Sequence, residues 1–188
     1  GGMNRRDFMR ASAAALAAAS WGPTLAAGGR KILILGGTAF LGPQIVRAAR
    51  ERGHEVTLFN RGRTNPGLFP DLEQLRGDRD GDLEALQGRR WDAVVDTSGY
   101  LPRIVDQSAA LLAEQTDRYL FISTISVYAS LAATGIDEDA PVGTLADPTV
   151  ETIDGETYGP LKALCEEVVR QRYGERAQRN IDQVQALL

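Results

Sequence analysis

Apolar and polar positions alternate along this chain in blocks of two different periods. Lys31-Ile32-Leu33-Ile34-Leu35 sets four bulky apolar residues behind one lysine, the pattern of a strand covered on both faces. Glycines follow at Gly36 and Gly37, and from Leu41 to Arg52 the period lengthens. Ile45, Val46, Ala48 and Ala49 fall on one side there, and Arg47, Arg50, Glu51 and Arg52 on the other, which predicts an amphipathic helix. Pro43 is tolerated in its first turn and Gly53 suits its end. Glu55 to Phe59 reads as a second strand, Thr64 to Pro70 as a loop rich in Pro, Gly and Asn, and Leu72 to Leu75 as a short third strand. A helix is expected from Asp82 to Gln87, a fourth strand over Trp91 to Asp96, a helix from Leu101 to Gln115 and a fifth strand over Arg118 to Ile122. A last helix opens at Tyr158 and ends near Tyr173-Gly174. Strands alternating with helices at this spacing predict an α/β fold, a doubly wound parallel sheet in three αβα layers.

Chemistry enters at the strand tips, where open α/β sheets hold ligands. The first strand runs through a glycine turn into a helix N-terminus, which presents unpaired N–H groups and a positive dipole end to a phosphate. In Gly36-Gly37-Thr38-Ala39-Phe40-Leu41-Gly42, Gly36 allows the turn, Gly37 lets a ligand approach, and Gly42 lets the helix pack on its strand. Such a loop is also found as an ordinary turn; its place after a buried strand favours dinucleotide binding. The second strand ends Asn60-Arg61-Gly62-Arg63, without the acid that would take a ribose 2′-hydroxyl. A guanidinium fork suits a 2′-phosphate, so the cofactor reading is NAD(P), leaning to NADP. The alternative is that Arg61 and Arg63 are solvated loop residues. Asp78, just past the third strand, is the candidate acceptor for an adenine amino group, while Asp80 or Asp82 can equally cap the following helix. Thr97, Ser98 and Gly99 are small enough to let a cofactor lie across the fourth strand. Tyr158 and Lys162, four apart on one helix face, bring an ammonium near a phenol and favour phenolate, the form of a general base. A hydroxyl at the end of the fifth strand can hold a substrate oxygen.

Composition narrows the classes. The 188 residues suffice for one domain with a full core, and 43% hydrophobic with 24% charged residues describe an ordinary soluble protein. A net charge of −4 argues against nucleic acid as the main partner. With one cysteine, Cys165, and one histidine, His54, neither an intrachain disulfide nor a protein-built zinc site is expected. Cys165 falls in a helical pattern as a packing residue, and His54 in a solvent-exposed turn. Ahead of the first strand, Gly1-Gly2 reads as a cloning scar. Asn4-Arg5-Arg6-Asp7-Phe8-Met9-Arg10 is similar to a twin-arginine export signal, followed by a short apolar run from Ala11 to Ala19 and small residues at Thr24-Leu25-Ala26. That run is too short for a membrane span. The expected location is therefore periplasmic in a bacterium, or cytoplasmic if the segment is instead an Ala-rich helix with basic ends.

The glycine loop, Phe121-Ile122-Ser123-Thr124-Ile125-Ser126-Val127-Tyr128 and Tyr158-Gly159-Pro160-Leu161-Lys162 together resemble the extended short-chain dehydrogenase/reductase superfamily, with its NAD-dependent epimerases and dehydratases. Ala39 departs from that branch's middle glycine. The form of the loop and the Phe-Asn-Arg-Gly tip look most like a group of bacterial epimerase-like proteins and chloroplast stem-loop RNA-binding relatives. The resemblance spans about Arg30 to Tyr173 and implies a Rossmann-type cofactor domain. It puts Tyr158 in the role of base, Lys162 as the residue that tunes it and binds the nicotinamide ribose, and Thr124, or its neighbour Ser123, as the hydroxyl that orients the substrate oxygen. The implied activity is hydride transfer on a hydroxyl-bearing, nucleotide-linked sugar. The expected partners are thus a small sugar-type substrate, no nucleic acid and no stable membrane span, with a homodimer as a possible assembly. The other readings are a dinucleotide-binding module without turnover, serving structure or sensing, and an RNA-associated module. The domain scheme is residues 1–27 as scar and signal, 28–174 as the cofactor domain, and 175–188 as an atypical tail. Ile181, Val184, Leu187 and Leu188 at helical spacing point to no sixth strand, so the substrate domain is expected to be missing.

Overall fold

The computed structural model describes residues 29–39, 42–122, 149–153 and 156–178. The signal segment, Phe40, Leu41, Ser123 and Thr124, and the last ten residues of the tail lie outside them. β1 (Lys31–Leu35) leads into α1 (Gly42–Glu51), then β2 (Glu55–Asn60), β3 (Glu73–Arg76), a 3₁₀ turn at Glu84–Leu86, and β4 (Trp91–Asp96). α2 (Pro102–Leu112), β5 (Thr116–Phe121), α3 (Tyr158–Tyr173), a second 3₁₀ turn and β6 (Ala177–Gln178) complete the described elements. All strand pairs are parallel, in the order β3-β2-β1-β4-β5-β6.

Alternation along each strand builds the two faces of the sheet. Ile32, Ile34, Val56, Leu58, Val95 and Leu120 share one core with Ile45, Val46 and Ala49 of α1. Leu33, Leu35, Val94, Tyr119 and Phe121 share the other with Val105, Ala109 and Leu112 of α2 and Cys165, Val169 and Tyr173 of α3. Helices on both faces explain the consecutive apolar residues of β1 from Ile32 to Leu35 and of β4 from Ala93 to Val95. The order reverses between β1 and β4, so the chain leaves β1 toward one edge and returns on its other side. That crevice, at the carboxyl ends of the strands, is where the candidate residues gather.

Three expectations need correction. The helix expected from Asp82 to Gln87 is a single 3₁₀ turn, because Asp78 and Asp82 bridge to one another and use up the start of the segment. The tail was expected to supply no sixth strand, yet Ala177–Gln178 pairs with Tyr119–Leu120 of β5. Strand pairing uses backbone groups and does not require a β-branched run. Here the Arg176 guanidinium adds bonds to the carbonyls of Ala113 and Thr116, at 3.1 and 3.0 Å. His54 is half-buried rather than solvent-exposed, since its Nδ1 accepts the Arg30 N–H at 3.0 Å. Among the described residues no helix is long and apolar enough to cross a membrane, and no cluster of His, Cys, Asp and Glu could hold a metal.

Candidate functional site

The glycine turn closes on itself and on β4. Gly37 has φ +92°, a conformation that a side chain disfavours. A Cβ on Gly42 would lie 2.6 Å from the Gly37 Cα, so α1 begins in direct contact with the turn. Gly37 thus serves the packing of the helix: a Cβ there would strike Leu58 at 2.9 Å. Thr38 is buried, and its carbonyl accepts the Asn65 amide at 2.9 Å. The Ala39 carbonyl accepts the Gly42 N–H at 2.9 Å. Gly36 donates to Phe59 O at 2.9 Å and faces Thr97 and Ser98 at the β4 tip. Those two hydroxyls turn inward. Thr97 Oγ1 donates to Leu35 O at 2.8 Å and Ser98 Oγ to the same carbonyl at 3.3 Å.

At the β2 tip, Arg61 and Arg63 are exposed. A third guanidinium that the sequence reading missed stands closer: Arg76, from the end of β3, donates to Asn60 Oδ1 and packs on Gly62. Asn60 Oδ1 also accepts the Gly62 N–H at 2.9 Å, which fixes the turn. Asp78 Oδ1 accepts the Asp80 N–H at 2.9 Å, within the loop it closes with Asp82. The Asp80 carboxylate does not cap a helix; it pairs with Arg103 at 2.8 Å, and Arg103 also holds Glu151 at 2.7 Å.

Tyr158 opens α3, where Leu161 N donates to Thr157 O at 2.8 Å. Lys162 lies one turn further on the same face and is 1% exposed. Its ammonium donates to Gly99 O and sits over the rings of Tyr100 and Phe121, 4.6 and 4.7 Å from their centroids. Tyr100 also meets Tyr158, ring centroids 6.2 Å apart. One side chain that the sequence reading passed over thus touches both members of the expected Tyr–Lys pair. Burial pushes the Lys162 ammonium down to about 8, and Asp96 opposes that fall. Burial, followed by Tyr158 and Asp96, raises the Tyr100 phenol. The Cys165 thiol, buried in the core one turn below Lys162, is pushed up to about 12 by desolvation, as an inert packing residue would be.

A buried polar network lies beneath this site. Asp96, the last residue of β4, is fully buried. Arg79 meets it with both nitrogens of a bidentate fork, each at 2.7 Å, and Tyr119 OH donates to Oδ2 at 2.6 Å. Burial opposes the charge of both partners, but their attraction and hydrogen bonds outweigh it. The Asp96 carboxyl stays lowered and the Arg79 guanidinium raised. An acid ending an apolar strand was the sequence signal for such a partner.

No family model matches the chain. It resembles the chloroplast stem-loop binding protein of 41 kDa b of Arabidopsis thaliana, 34% identical over 115 residues, which are 53% of this chain and 30% of that protein. A 54-residue stretch, 29% of this chain and 15% of the other, is 35% identical to the bifunctional pinoresinol-lariciresinol reductase of Linum album. Among solved structures it superposes on a UDP-galactose 4-epimerase with a TM-score of 0.57 at 19% identity, covering 79% of this chain and 54% of that one. The UDP-N-acetylglucosamine 4-epimerase of Bacillus cereus gives 0.56 at 22%, covering 80% and 54%. The Bordetella bronchiseptica enzyme WbmG in complex with NAD gives 0.58 at 19%, covering 79% and 51%. The chain shares their fold. The doubly wound parallel sheet expected from the sequence is therefore the architecture of these structures as well. The chain spans about half the length of these structures and under a third of its curated relatives.

Proposed function

We propose that this chain is the cofactor-binding part of an NAD(P)-dependent oxidoreductase or epimerase acting on a hydroxyl-bearing, nucleotide-linked sugar. One observation carries the reading: Tyr158 and Lys162 share a helix face that meets the β4 tip, beside the glycine turn of a parallel sheet. The groups on hand fit a dinucleotide. Gly37 and Gly42 abut at the start of α1, and a pyrophosphate placed there would gain from the N–H groups of the helix N-terminus. Thr97, Ser98 and Gly99 keep the β4 tip low. Arg61, Arg63 and Arg76 surround a β2 tip without an acid, which favours a 2′-phosphate.

When bound, the nicotinamide would accept or return a hydride. The chain's own residues would handle the proton. Tyr158 would take it from the substrate hydroxyl as the general base, with Lys162 one turn further on the same helix face as its partner. Thr124, or Ser123 beside it, would hold the oxygen. Tyr100 would keep the two side chains in register from the β4 side.

The test is calorimetric titration of the full chain with NAD(H) and NADP(H), with Tyr158→Phe alongside. Binding with preference for the phosphate-bearing form is expected for wild type, and unaltered affinity for Tyr158→Phe. A folded sample that binds neither cofactor would overturn the reading. Binding without any hydride exchange on UDP-sugars would favour a dinucleotide-binding module without turnover.

A further inference from the structure

We propose that Arg79 and Asp96 are positioning residues for Lys162, acting through the Ser98–Gly99 strand tip. The inference rests on the reading of Tyr158 and Lys162 as a working pair, and its geometry stands apart from that pair. Asp96 accepts from four donors. Arg79 Nη1 and Ser98 N reach Oδ1 at 2.7 and 3.1 Å, while Arg79 Nη2 and Tyr119 OH reach Oδ2 at 2.7 and 2.6 Å. The Ser98 bond shapes the chain just beyond β4. Gly99 then lies so close to the carboxylate that an added Cβ would be 3.1 Å from Oδ2, and 2.5 Å from Phe121 Cε2. The carbonyl of this pinned residue receives the Lys162 ammonium. Arg79 is itself tied to α2 by a 2.7 Å bond to Ser108 Oγ. A movement of the fork therefore passes to the Gly99 carbonyl, and from there to the ammonium.

Stability alone gives little reason for such a pair. A buried ion pair gains little over apolar packing of the same volume, and here the Arg79 Nε is buried without a hydrogen-bond partner among the described residues. Its location gives the reason. The pair ends β4 at the carboxyl edge of the sheet, and the titratable groups acting on Lys162 are Asp96, Arg79 and, from its own helix, Cys165 and Glu166. Asp96 holds the ammonium charged, Arg79 limits that pull, and the Tyr100 and Phe121 rings close the remaining sides.

The chain offers a direct readout, because Lys31 and Lys162 are its two lysines. In lysine-labelled protein without cofactor, NMR titration of the side-chain signals reports Lys162, with the exposed Lys31 as internal reference. Asp96→Asn should lower the Lys162 midpoint by about one unit, and Arg79→Gln should raise it by about half a unit. Tyr119→Phe, the mildest change, strips one donor from Asp96, leaves more of its charge facing Lys162, and should raise the midpoint by about 0.3 unit. It serves if the other two variants do not fold. Shifts of opposite sign for the acid and the arginine, with Lys31 unmoved, support the proposal. A Lys162 midpoint equal to that of wild type in every folded variant overturns it. Because no cofactor is present, this outcome is independent of the binding experiment that tests the proposed function.

Discussion

Replacing Lys162 with methionine should change how stability depends on pH more than it changes stability itself. The side chain is buried to 1% exposure, and its ammonium falls from the ordinary 10.5 to about 8, chiefly through desolvation. At about 1.4 kcal/mol per unit, that shift corresponds to about 3 kcal/mol of charge-burial cost, carried by the folded chain at neutral pH. The folded value lies below the unfolded one. Between them the unfolded chain binds more protons, so unfolding free energy rises with pH across the interval from about 8 to 10.5. Below that window the full cost is present; above it the cost is gone. Urea unfolding of wild type and Lys162→Met at intervals from pH 7 to 11 isolates the effect, since the other titrating groups cancel in the difference. Wild type should gain about 3 kcal/mol relative to the variant over the window, with a slope no steeper than about 1.4 kcal/mol per pH unit. Near neutral pH the variant should be no less stable than wild type, apart from the loss of a donor to the Gly99 carbonyl, worth about 1–3 kcal/mol. Parallel curves at all pH values would refute the reasoning, because they would mean that the ammonium reaches water in the folded chain.

Three further outcomes follow from the same geometry. Gly42→Ala sets a methyl group 2.6 Å from the Gly37 backbone, and should cost about 1–3 kcal/mol by denaturant titration; an unchanged midpoint would mean that α1 does not start against the turn. Tyr119→Phe deletes the 2.6 Å bond to a buried carboxylate and should cost about 1.5–3 kcal/mol, whereas a loss below about 0.5 kcal/mol would show that Asp96 is satisfied without it. Arg103→Ala breaks exposed pairs with Asp80 and Glu151, and thermal melts at low and high salt should not distinguish it from wild type; a clear drop would mean that these pairs anchor the segment leading into α3.

The sequence was most legible where one physical demand acted alone. β1 and β4 are covered on both sides, so their composition announces them, and β4 spans Trp91–Asp96 as expected. The start of α3 at Tyr158 was equally plain. Short elements were not. β3 lies one residue from its expected place because its burial is partial and its pattern weak, and β6 consists of two residues paired only through backbone. In the site, the glycines and the Tyr–Lys spacing were readable because local geometry requires them. Arg79 and Tyr100 were not, since each acquires its meaning from a partner distant in the chain. Asp96 could have been flagged: a carboxylate that ends a buried strand must find a cation or several donors. Of the arginines around the β2 tip, the adjacent Arg61 and Arg63 drew attention, while Arg76 reaches Asn60 only because β3 lies beside β2.

The parallel sheet also sets the order in which the chain can assemble. β1 pairs with β2 across one short helix, joining Lys31 to Glu55, but its other edge must wait for Ala93, and β5 waits for Ala177. Closing those longer loops costs more chain entropy before any contact repays it. The β1-α1-β2 unit is the natural nucleus, and α3 with β6 the last piece to dock. Tyr158 and Lys162 ride on that late piece, so the ammonium loses its water only at the final step. Hydrogen exchange should find α3 opening at lower free energy than β1, and the site should therefore come apart before the sheet does.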